Sequence, residues 1–397
     1  MDDKVFFEHL LEIPGLKVDR VSYETRRIVL FCHSEDGGEV CPACGSTEKK
    51  TGKRYDERRV RDLDISGKEV WLHLRVRQFE CDCGRYFQER FDWVAPGKSY
   101  TKRQAKFIFE MSAKQPFSAA AAILNMCPKT VERVYYGYAE MVIDLPQRYA
   151  QVRKLGIDEI SLRKGKGDYC CVLTDLERGI QLDILPDRKK ETLMAHFEQL
   201  GEAFCQQIEH VSCDMWGPYT DVAKACFPRA VITIDRFHVV KLLNEVLDTI
   251  RKSIRKEHPQ QEVFKKLKWT LFKRPEHLND SQQEALALAF ESAPDLEEAY
   301  ILRNSFHAIF DQAPNKIVAT QWIEQWVEDV RLTRNDTWEK FLKTLNNWQE
   351  LILNFVESGV SNAATEGLNN LIRYVRRISF AIPNFNNMRL RILASSA

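Results

Sequence analysis

The sequence has no hydrophobic run long enough to cross a membrane. Its longest apolar stretches are short, such as those at 119–126 and 230–234, whereas a spanning helix needs about 20 residues. The first 15 residues start acidic and lack the basic and apolar regions of a secretory signal. No low-complexity tract interrupts the 397 residues. We therefore expect a soluble, cytoplasmic protein of two to four globular units.

The chain also lacks an excess of charge of either sign, because its formal net charge is only +1. Positive charge is nevertheless concentrated locally. Residues 49–106 contain 16 lysines and arginines against nine acids, and residues 359–397 contain five against one. Such basic segments on a neutral chain favour contact with phosphates on particular faces. Ordinary solvated surface is the alternative for either segment alone.

The 11 cysteines occur partly in close pairs. Without a secretion signal, reduced thiols, some of them binding metal, fit this pattern better than disulfides. Cys41 and Cys44 form a CPxCG knuckle, and Cys81 and Cys83 form a tighter C-x-C knuckle after two alternating runs at 55–65 and 70–79. Two knuckles joined by strands predict a zinc ribbon that holds Zn²⁺. Four thiols without metal remain the alternative, favoured by the shortened second knuckle.

Residues 100–145 read as three helices, at 101–113, 118–125 and 129–141, with a turn at 126–128 before the last one. This is the layout of a helix-turn-helix, although small helical bundles share it. Lys129, Thr130 and Arg133 lie near the start of the third helix. They are therefore candidates for contact with DNA.

The character of the sequence changes at residue 151. Strand-like segments at 152–160, 168–174, 180–185, 208–213 and 230–234 alternate with helical ones in the order βββαβαβ. That order is typical of an RNase H-like α/β core. Residues 241–356 read as helices almost throughout and predict a large all-α insertion.

Acidic residues lie within or directly after three of the apolar strands. Asp158 lies within the first, Asp214 ends the fourth and Asp235 ends the fifth. A carboxylate at a buried strand is costly unless it is paired or bound to a cation. The first and fourth strands are neighbours in this order, so Asp158 and Asp214 are expected within reach of one metal ion. The alternative is that each aspartate only caps a turn.

Glu159 directly follows Asp158 on the first core strand, and successive strand side chains point to opposite faces. Only one of the two acids can therefore face the site. We favour Asp158, because Gly156 lies on the same face and would leave room for a substrate.

The segment 362–377 predicts an amphipathic helix with an unusual polar face. At 100° per residue, one face carries Leu368, Leu371, Ile372 and Val375, and we expect it to lie on the sheet. The other face forms a continuous polar line, made of Asn362, Glu366, Asn369, Arg373 and Arg377. Its single acid suits metal binding, and its amides and guanidinium groups suit phosphates. A plain amphipathic surface helix would more typically mix lysine and glutamate.

These residues resemble the insertion-sequence transposases of the ISL3 family. The resemblance lies in the runs Gly156-Ile157-Asp158-Glu159, D-R-F-H-V-V-K at 235–241, and N-x3-E-G-x-N at 362–369, with Asp214 between the first two. It implies that Asp158, Asp214 and Glu366 form a DDE triad that binds two Mg²⁺ or Mn²⁺ ions. Asp235 and His238 would then be supporting residues beside the triad.

The resemblance also implies a function: metal-dependent DNA cleavage and strand transfer at terminal inverted repeats. We further expect a homodimer on DNA. A non-catalytic DNA-binding protein, such as a regulator or a domesticated transposase, is the competing hypothesis. A structure-selective nuclease with the same core is a third.

We expect a multidomain α+β chain. Its predicted parts are a zinc-ribbon DNA-binding domain at 1–99, a helix-turn-helix at 100–150, the first part of the catalytic core at 151–240, the helical insertion at 241–356, and the C-terminal helix and tail of the core at 357–397.

Overall fold

The computed structural model of the chain describes residues 2–35, 40–47, 49–95, 99–161, 169–380 and 382–395. The chain divides into two compact units. The first unit combines Met1–Ile143 with Tyr374–Ser395, and the second contains Asp144–Arg373. None of the described helices is both long and apolar enough to span a bilayer.

The first unit contains a sheet of five described strands. These are β1 (Leu16–Tyr23), β2 (Arg27–Ser34), β3 (Lys49–Ile65), β4 (Lys68–Cys81) and β5 (Tyr86–Gln88). β3 and β4 form a long antiparallel hairpin, β2 runs parallel to β4, and β1 and β5 pair antiparallel with β2 and β4. Helix α1 (Asp3–Leu11) contributes Phe7 and Leu11 to the core on this sheet.

Three helices follow this sheet, close to the predicted positions: α2 (Lys102–Ala113), α3 (Phe117–Ile123) and α4 (Pro128–Val142). Thr101 caps α2 by accepting a hydrogen bond of 3.1 Å from the backbone N–H of Gln104. Pro128 lies in the first turn of α4, where its missing N–H costs no helical hydrogen bond. The buried Asp62 of β3 accepts a 2.7 Å hydrogen bond from Thr101 and pairs with Arg103, which fastens α2 to the sheet.

A helix from the far end of the chain completes the first unit. α17 (Phe385–Ser395) packs against α4 and α2. Its Arg391 is only 1% exposed and donates hydrogen bonds to the carbonyl oxygens of Ser112 (3.3 Å) and Gln115 (2.7 Å). The Arg391 guanidinium also lies 4.1 Å from the ring centroid of Phe117. Residues 374–395 therefore belong by their contacts to the first unit, whereas the sequence-based division placed them with the catalytic core.

The second unit is built on a sheet with the order β10-β9-β6-β7-β8. Its strands are β6 (Lys154–Ser161), β7 (Tyr169–Asp175), β8 (Ile180–Leu185), β9 (His210–Cys213) and β10 (Val231–Ile234). β6, β7 and β8 form an antiparallel meander, and β9 and β10 run parallel to β6. Asp168, the predicted first residue of the second core strand, lies outside the described residues. The short helices described in this region are α5 (Leu145–Tyr149), α6 (Lys190–Leu200), α7 (Glu202–Gln207) and α8 (Gly217–Cys226).

After β10 the described chain is helical up to residue 358, as the sequence predicts. The helices are α9 (Arg236–Glu257), α10 (Val263–Lys266), α11 (Lys268–Leu271), α12 (Asp280–Ser292), α13 (Pro294–Gln312), α14 (Lys316–Leu332) and α15 (Glu339–Ser358), with 3₁₀ turns at Pro275–His277 and Asp336–Trp338. Phe306, Trp326, Trp338 and Phe341 pack together in their core, with ring centroids 4.9–6.4 Å apart where they touch. Helix α15 returns to the sheet, where its Asn354 donates a 2.7 Å hydrogen bond to the carbonyl oxygen of Ile232 in β10. Helix α16 (Ala363–Ile378) follows.

Candidate active site and metal centres

Asp158 and Asp214 meet on neighbouring strands. β6 and β9 pair in parallel, with Ile157 opposite Cys213. Asp158 directly follows Ile157, and Asp214 directly follows Cys213, so the two aspartates are neighbours. A carboxylate oxygen of each, together with a ring nitrogen of His238, lies within 4.8 Å of the others. The prediction that the first and fourth core strands are neighbours is confirmed.

The Asp158 carboxylate is held by two donors. Its Oδ1 accepts a 2.6 Å hydrogen bond from the backbone N–H of Glu159, and its Oδ2 accepts one of 2.7 Å from Nδ2 of Asn369 in α16. Burial, together with the negative charge of Asp214, raises the pKa of Asp158 to about 6. Burial and the neighbouring carboxylate both disfavour the ionised form of Asp158, and a bound cation would offset both effects.

The D-R-F-H run places its first and last residues at this cluster. Asp235 caps α9 by accepting a 3.3 Å hydrogen bond from the backbone N–H of Phe237, and burial raises the pKa of Asp235. His238, in the first turn of α9, places Nε2 3.0 Å from Oδ1 of Asp214. Burial alone lowers the pKa of His238, but its hydrogen bond to Asp214 and the charges of all three aspartates outweigh burial and raise it. The aspartates around His238 therefore favour its protonated form over the neutral ring.

Glu159, the other acid of the pair on β6, has a different partner. Its carboxylate forms an ion pair with Arg188. The Arg188 guanidinium lies 4.3 Å from the ring centroid of Tyr169 and 4.6 Å from that of Trp216. Asp158, not Glu159, therefore joins the cluster with Asp214.

Gly156 lets α16 dock closely on β6. A methyl group on its Cα would lie 2.6 Å from Oδ1 of Asn362, 2.8 Å from Leu176 and 3.1 Å from Oγ1 of Thr365. Thr365 in turn donates a 2.7 Å hydrogen bond to that Asn362 oxygen. The expectation that Gly156 leaves room for a substrate was therefore wrong, because the start of α16 fills the space.

The buried face of α16 also differs from the predicted one. Asn362, Thr365, Asn369 and Ile372 are at most 5% exposed, whereas Leu368 is only half-buried. The expectation that Leu368, Leu371, Ile372 and Val375 form the face on the sheet was wrong in this respect, because small polar side chains dock the helix at β6. Leu371 is half-buried, and Val375 is 1% exposed.

Glu366 is exposed and lines a cleft of about 500 Å³ together with Asp158. Other predicted residues line the same cleft, namely Asp235, His238, Asn362, Asn369 and Arg373. Glu366 is not part of the compact group formed by Asp158, Asp214 and His238. The structure thus brings the third acid to the same cleft as Asp158, about one helical turn away from the Asn369 that donates to Asp158.

The four knuckle cysteines of the first unit come together as predicted. The Sγ atoms of Cys41 and Cys83 are 3.7 Å apart, those of Cys44 and Cys81 are 3.5 Å apart, and all four lie within 4.8 Å of one another. Tetrahedral Zn²⁺ with Zn–S bonds of about 2.3 Å requires S–S separations of about 3.8 Å. The four thiols therefore fit Zn²⁺, and the shortened second knuckle does not prevent this arrangement.

A glycine follows each knuckle and turns the chain back over the sulfur atoms. Gly45 and Gly84 have φ of 72° and 80°, and their N–H groups donate to the carbonyls of Cys41 (2.9 Å) and Cys81 (2.8 Å). Burial opposes ionisation of Cys41, but N–H groups of the turn and neighbouring thiols lower its pKa to about 6. A thiolate ready to bind metal is thus favoured before any metal is present.

The predicted DNA-contact residues lie on helix surfaces. Lys129 and Arg133 are exposed and Thr130 is half-buried, all in the first two turns of α4. Arg377 is exposed near the end of α16. The structure thus leaves the charged side chains of Lys129, Arg133 and Arg377 exposed to solvent.

Sequence reasoning missed several residues of the cleft. Thr365 helps to dock α16, and Arg236, Arg274 and His307 contribute cleft walls. The spacing of Asn362, Thr365 and Asn369, which repeats along one face of a helix, was a usable signal for the docked face. No local pattern marks Arg274 or His307, because both lie within the helical insertion.

Two family profiles match parts of this chain. The profile of the ISL3 family, described as a transposase, matches residues 155–392. A zinc-finger profile of the transposases of IS204, IS1001, IS1096 and IS1165 matches residues 38–83. The transposase of IS1001 from Bordetella parapertussis is 27% identical over all of this chain and 98% of its own length. The transposase of IS1557 from Mycobacterium tuberculosis (strain CDC 1551 / Oshkosh) is 25% identical over 86% of this chain and 82% of its own length. Because the first profile covers more than half of the sequence, the chain belongs to the ISL3 family of transposases.

Proposed function

We propose that this chain is an insertion-sequence transposase that cleaves DNA at the terminal inverted repeats of its element and joins the freed ends to target DNA. The observation that carries the proposal is the meeting of Asp158 with Asp214, because Asp158 lines a cleft that Glu366 also lines. In this proposal the three acids form the DDE triad.

The donors at this cleft fit hard divalent cations. Carboxylate oxygens are the ligands that Mg²⁺ prefers, and Mn²⁺ accepts them too. Asp158, Asp214 and Asp235 bring three carboxylates together with one histidine, so the site has negative charge to neutralise. Asp158, Asp214 and Glu366 would hold two ions. When bound, such ions activate water or a 3′-hydroxyl and stabilise the leaving 3′-oxygen.

The surrounding residues would orient the acids and the DNA. Asn369 fixes one oxygen of Asp158, and His238 lies against Asp214, so each carboxylate has a limited range of orientations. Asn362 docks the start of α16 beside Gly156. Arg373 is exposed at the cleft, where its guanidinium would donate to phosphate oxygens.

The remaining parts of the chain have proposed roles in DNA recognition. The zinc ribbon, with Zn²⁺ on its four cysteines, and a helix-turn-helix formed by α2, α3 and α4 would bind the terminal repeats. Lys129, Thr130 and Arg133 of α4 would enter the major groove, and Arg377 would contact the backbone. The strand order of the second unit supports an RNase H-like core with a helical insertion. The sequence-based domain limits stay part of this proposal, as does a homodimer on DNA.

The test is a cleavage assay with the purified full chain and duplex DNA from both ends of the element. With Mg²⁺ we expect nicks at the inverted repeats, and with target DNA present we expect joined products. Asp158→Asn or Asp214→Asn should abolish both reactions while DNA binding persists, because Asn keeps the shape but not the charge that holds the metal.

Asp221→Asn is the matched control, since Asp221 is an exposed acid of α8 paired with Lys190 and is not among the residues that line the cleft. This variant should cleave like the unmodified chain. Binding without any Mg²⁺-dependent cleavage would favour the non-catalytic DNA-binding alternative. Cleavage that survives Asp214→Asn would move the metal-binding role to Asp235.

A further inference from the structure

The helical insertion contributes basic groups to the wall of the active-site cleft. Arg274, in the loop after α11, and His307, in α13, line the cleft that contains Asp158 and Glu366. Arg236, from the first turn of α9, lines it as well. None of these three residues belongs to the carboxylate cluster.

Both arginines of this cleft wall pair with acidic residues. Nη1 of Arg236 lies 3.0 Å from one oxygen of Asp311, and Nη1 of Arg274 lies 2.7 Å from the other. Two guanidinium groups thus share one carboxylate, with the exposed Glu276 a further 3.8 Å from Arg274. A planar guanidinium presents five N–H donors, so each arginine keeps donors for another acceptor.

A buried arginine fixes the position of Arg274. Arg303 is 2% exposed and donates to the carbonyl oxygens of Phe272 (2.6 Å) and Lys273 (3.3 Å), the two residues directly before Arg274. Its other described hydrogen bonds go to amide oxygens of Asn244 and Asn304. Arg303 therefore adds positive charge near the cleft wall while it holds the backbone that presents Arg274.

His307 supplies a donor that lacks a partner. Arg236 can only donate, so the 3.4 Å contact from its Nη2 to Nδ1 of His307 makes Nδ1 the acceptor. Burial, helped by Arg303, Arg236 and Arg274, lowers the pKa of His307 to about 3, so the ring stays neutral with its proton on Nε2. Nε2 is buried and has no hydrogen-bond partner among the described residues. An unpaired buried donor is unfavourable until an acceptor arrives.

We propose that Arg274, Arg236 and His307 form an anion subsite that binds a DNA backbone phosphate next to the one being cut. This inference rests on the proposed function and assigns the insertion a direct part in positioning the substrate. The two arginines and the imidazole N–H offer donors to phosphate oxygens, and the carboxylates across the cleft are left for the cations. Fixing the neighbouring phosphate would keep the scissile bond in register with the acids.

The experiment combines Arg274 variants with DNA that carries one neutral methylphosphonate at a time around the cleavage position. Arg274→Ala should slow cleavage roughly 10- to 100-fold, as expected for the loss of a charged hydrogen-bond donor. Arg274→Lys should recover part of the rate, because it keeps the charge but not the planar fork. At one linkage, the methylphosphonate should slow cleavage by the unmodified chain. The same methylphosphonate should not slow cleavage by Arg274→Ala any further, because that variant has already lost the contact.

Lys273→Ala is the matched control, because Lys273 is the exposed neighbouring base and does not line the cleft. Each methylphosphonate should slow cleavage by Lys273→Ala by the same factor as it slows cleavage by the unmodified chain. The subsite is overturned if Arg274→Ala cleaves at the normal rate, or if its defect persists unchanged at every neutral linkage.

A binding measurement separates this inference from the proposed cleavage function. Fluorescence anisotropy with labelled terminal DNA, without divalent ions, should show a slope of log affinity against log salt that is lower by about 0.9 in Arg274→Ala. A chain that binds with this difference but never cleaves would refute the cleavage function and keep the subsite. An unchanged slope in a chain that binds would refute the subsite.

Discussion

Replacing Gly156 with alanine should damage catalysis far more than folding. The new methyl group would lie 2.6 Å from Oδ1 of Asn362 and 3.1 Å from Oγ1 of Thr365, whereas comfortable contacts need about 3.5 Å. The start of α16 must therefore move away from β6 by about 1 Å. Both contacted side chains are buried and bonded to each other, so they cannot simply rotate into solvent.

Two magnitudes follow from this displacement. Crowding of a packed contact of this kind costs about 1–3 kcal/mol, which lowers the melting temperature of a unit of this size by a few degrees to about 10 °C. Glu366 and Asn369 move with the helix, and a misplacement of about 1 Å at a reacting centre costs on the order of 100-fold in rate. We therefore expect a folded protein that binds terminal DNA and cleaves it about 100-fold more slowly.

The assay is single-turnover cleavage of labelled terminal DNA with Mg²⁺, with thermal melting measured on the same samples. Gly217→Ala is the control, because a methyl group at Gly217, in the first turn of α8, would meet no atom within 4 Å. That variant should match the unmodified chain in both measurements. A Gly156→Ala protein with normal melting and normal cleavage would refute the argument that close docking of α16 sets the position of Glu366.

Two further predictions concern the first unit. Cys83→Ser should lower the zinc content of dialysed protein from about one ion per chain, because three thiolates bind Zn²⁺ more weakly than four. Cys127→Ser changes an exposed thiol outside the cluster and should keep the normal zinc content. Equal zinc in both variants, measured by elemental analysis, would contradict the site. Arg133→Ala should weaken binding to the terminal repeats and lower the slope of log affinity against log salt by about 0.9, and Lys129→Ala should act similarly. The control is Lys224→Ala, because Lys224 is exposed on α8. An effect of Lys224→Ala as large as that of Arg133→Ala would argue against recognition by α4.

The sequence predicted the parts of the site that follow from regular strand geometry. A carboxylate at the end of an apolar strand is visible in the sequence, because few other residues are as costly to bury there. Once the strand order is inferred, Asp158 and Asp214 must be neighbours, and the register of β6 and β9 confirms that order. The knuckle cysteines were equally predictable from the sequence, because their spacing and the glycines after them are local features.

The docking of α16 was not predictable from hydrophobic periodicity alone. That method assigns the buried face to apolar residues, whereas Thr365, Asn362 and Asn369 are buried against a strand that has no side chain at Gly156. The close approach depends on the combination of a glycine on one element and small polar groups on another. Such a combination is nonlocal, and so are the insertion residues Arg274 and His307, which reach the cleft only through the folding of the helices between them.

The burial of Arg391 among the helices of the first unit has a consequence for the order of folding during synthesis. Its hydrogen-bond partners, Ser112 and Gln115, are made more than 270 residues earlier. The ribosome therefore releases α2, α3 and α4 long before the helix that closes them, and contacts of such large sequence separation form late. Until then, the ring of Phe117 and the carbonyl oxygens of Ser112 and Gln115 lack their contacts with Arg391. A chain cut short before residue 391 would carry every proposed recognition residue of α4, yet the helices that present them would be incompletely packed. Firm binding to the element's ends would thus be reserved for chains that have been translated through the whole catalytic unit.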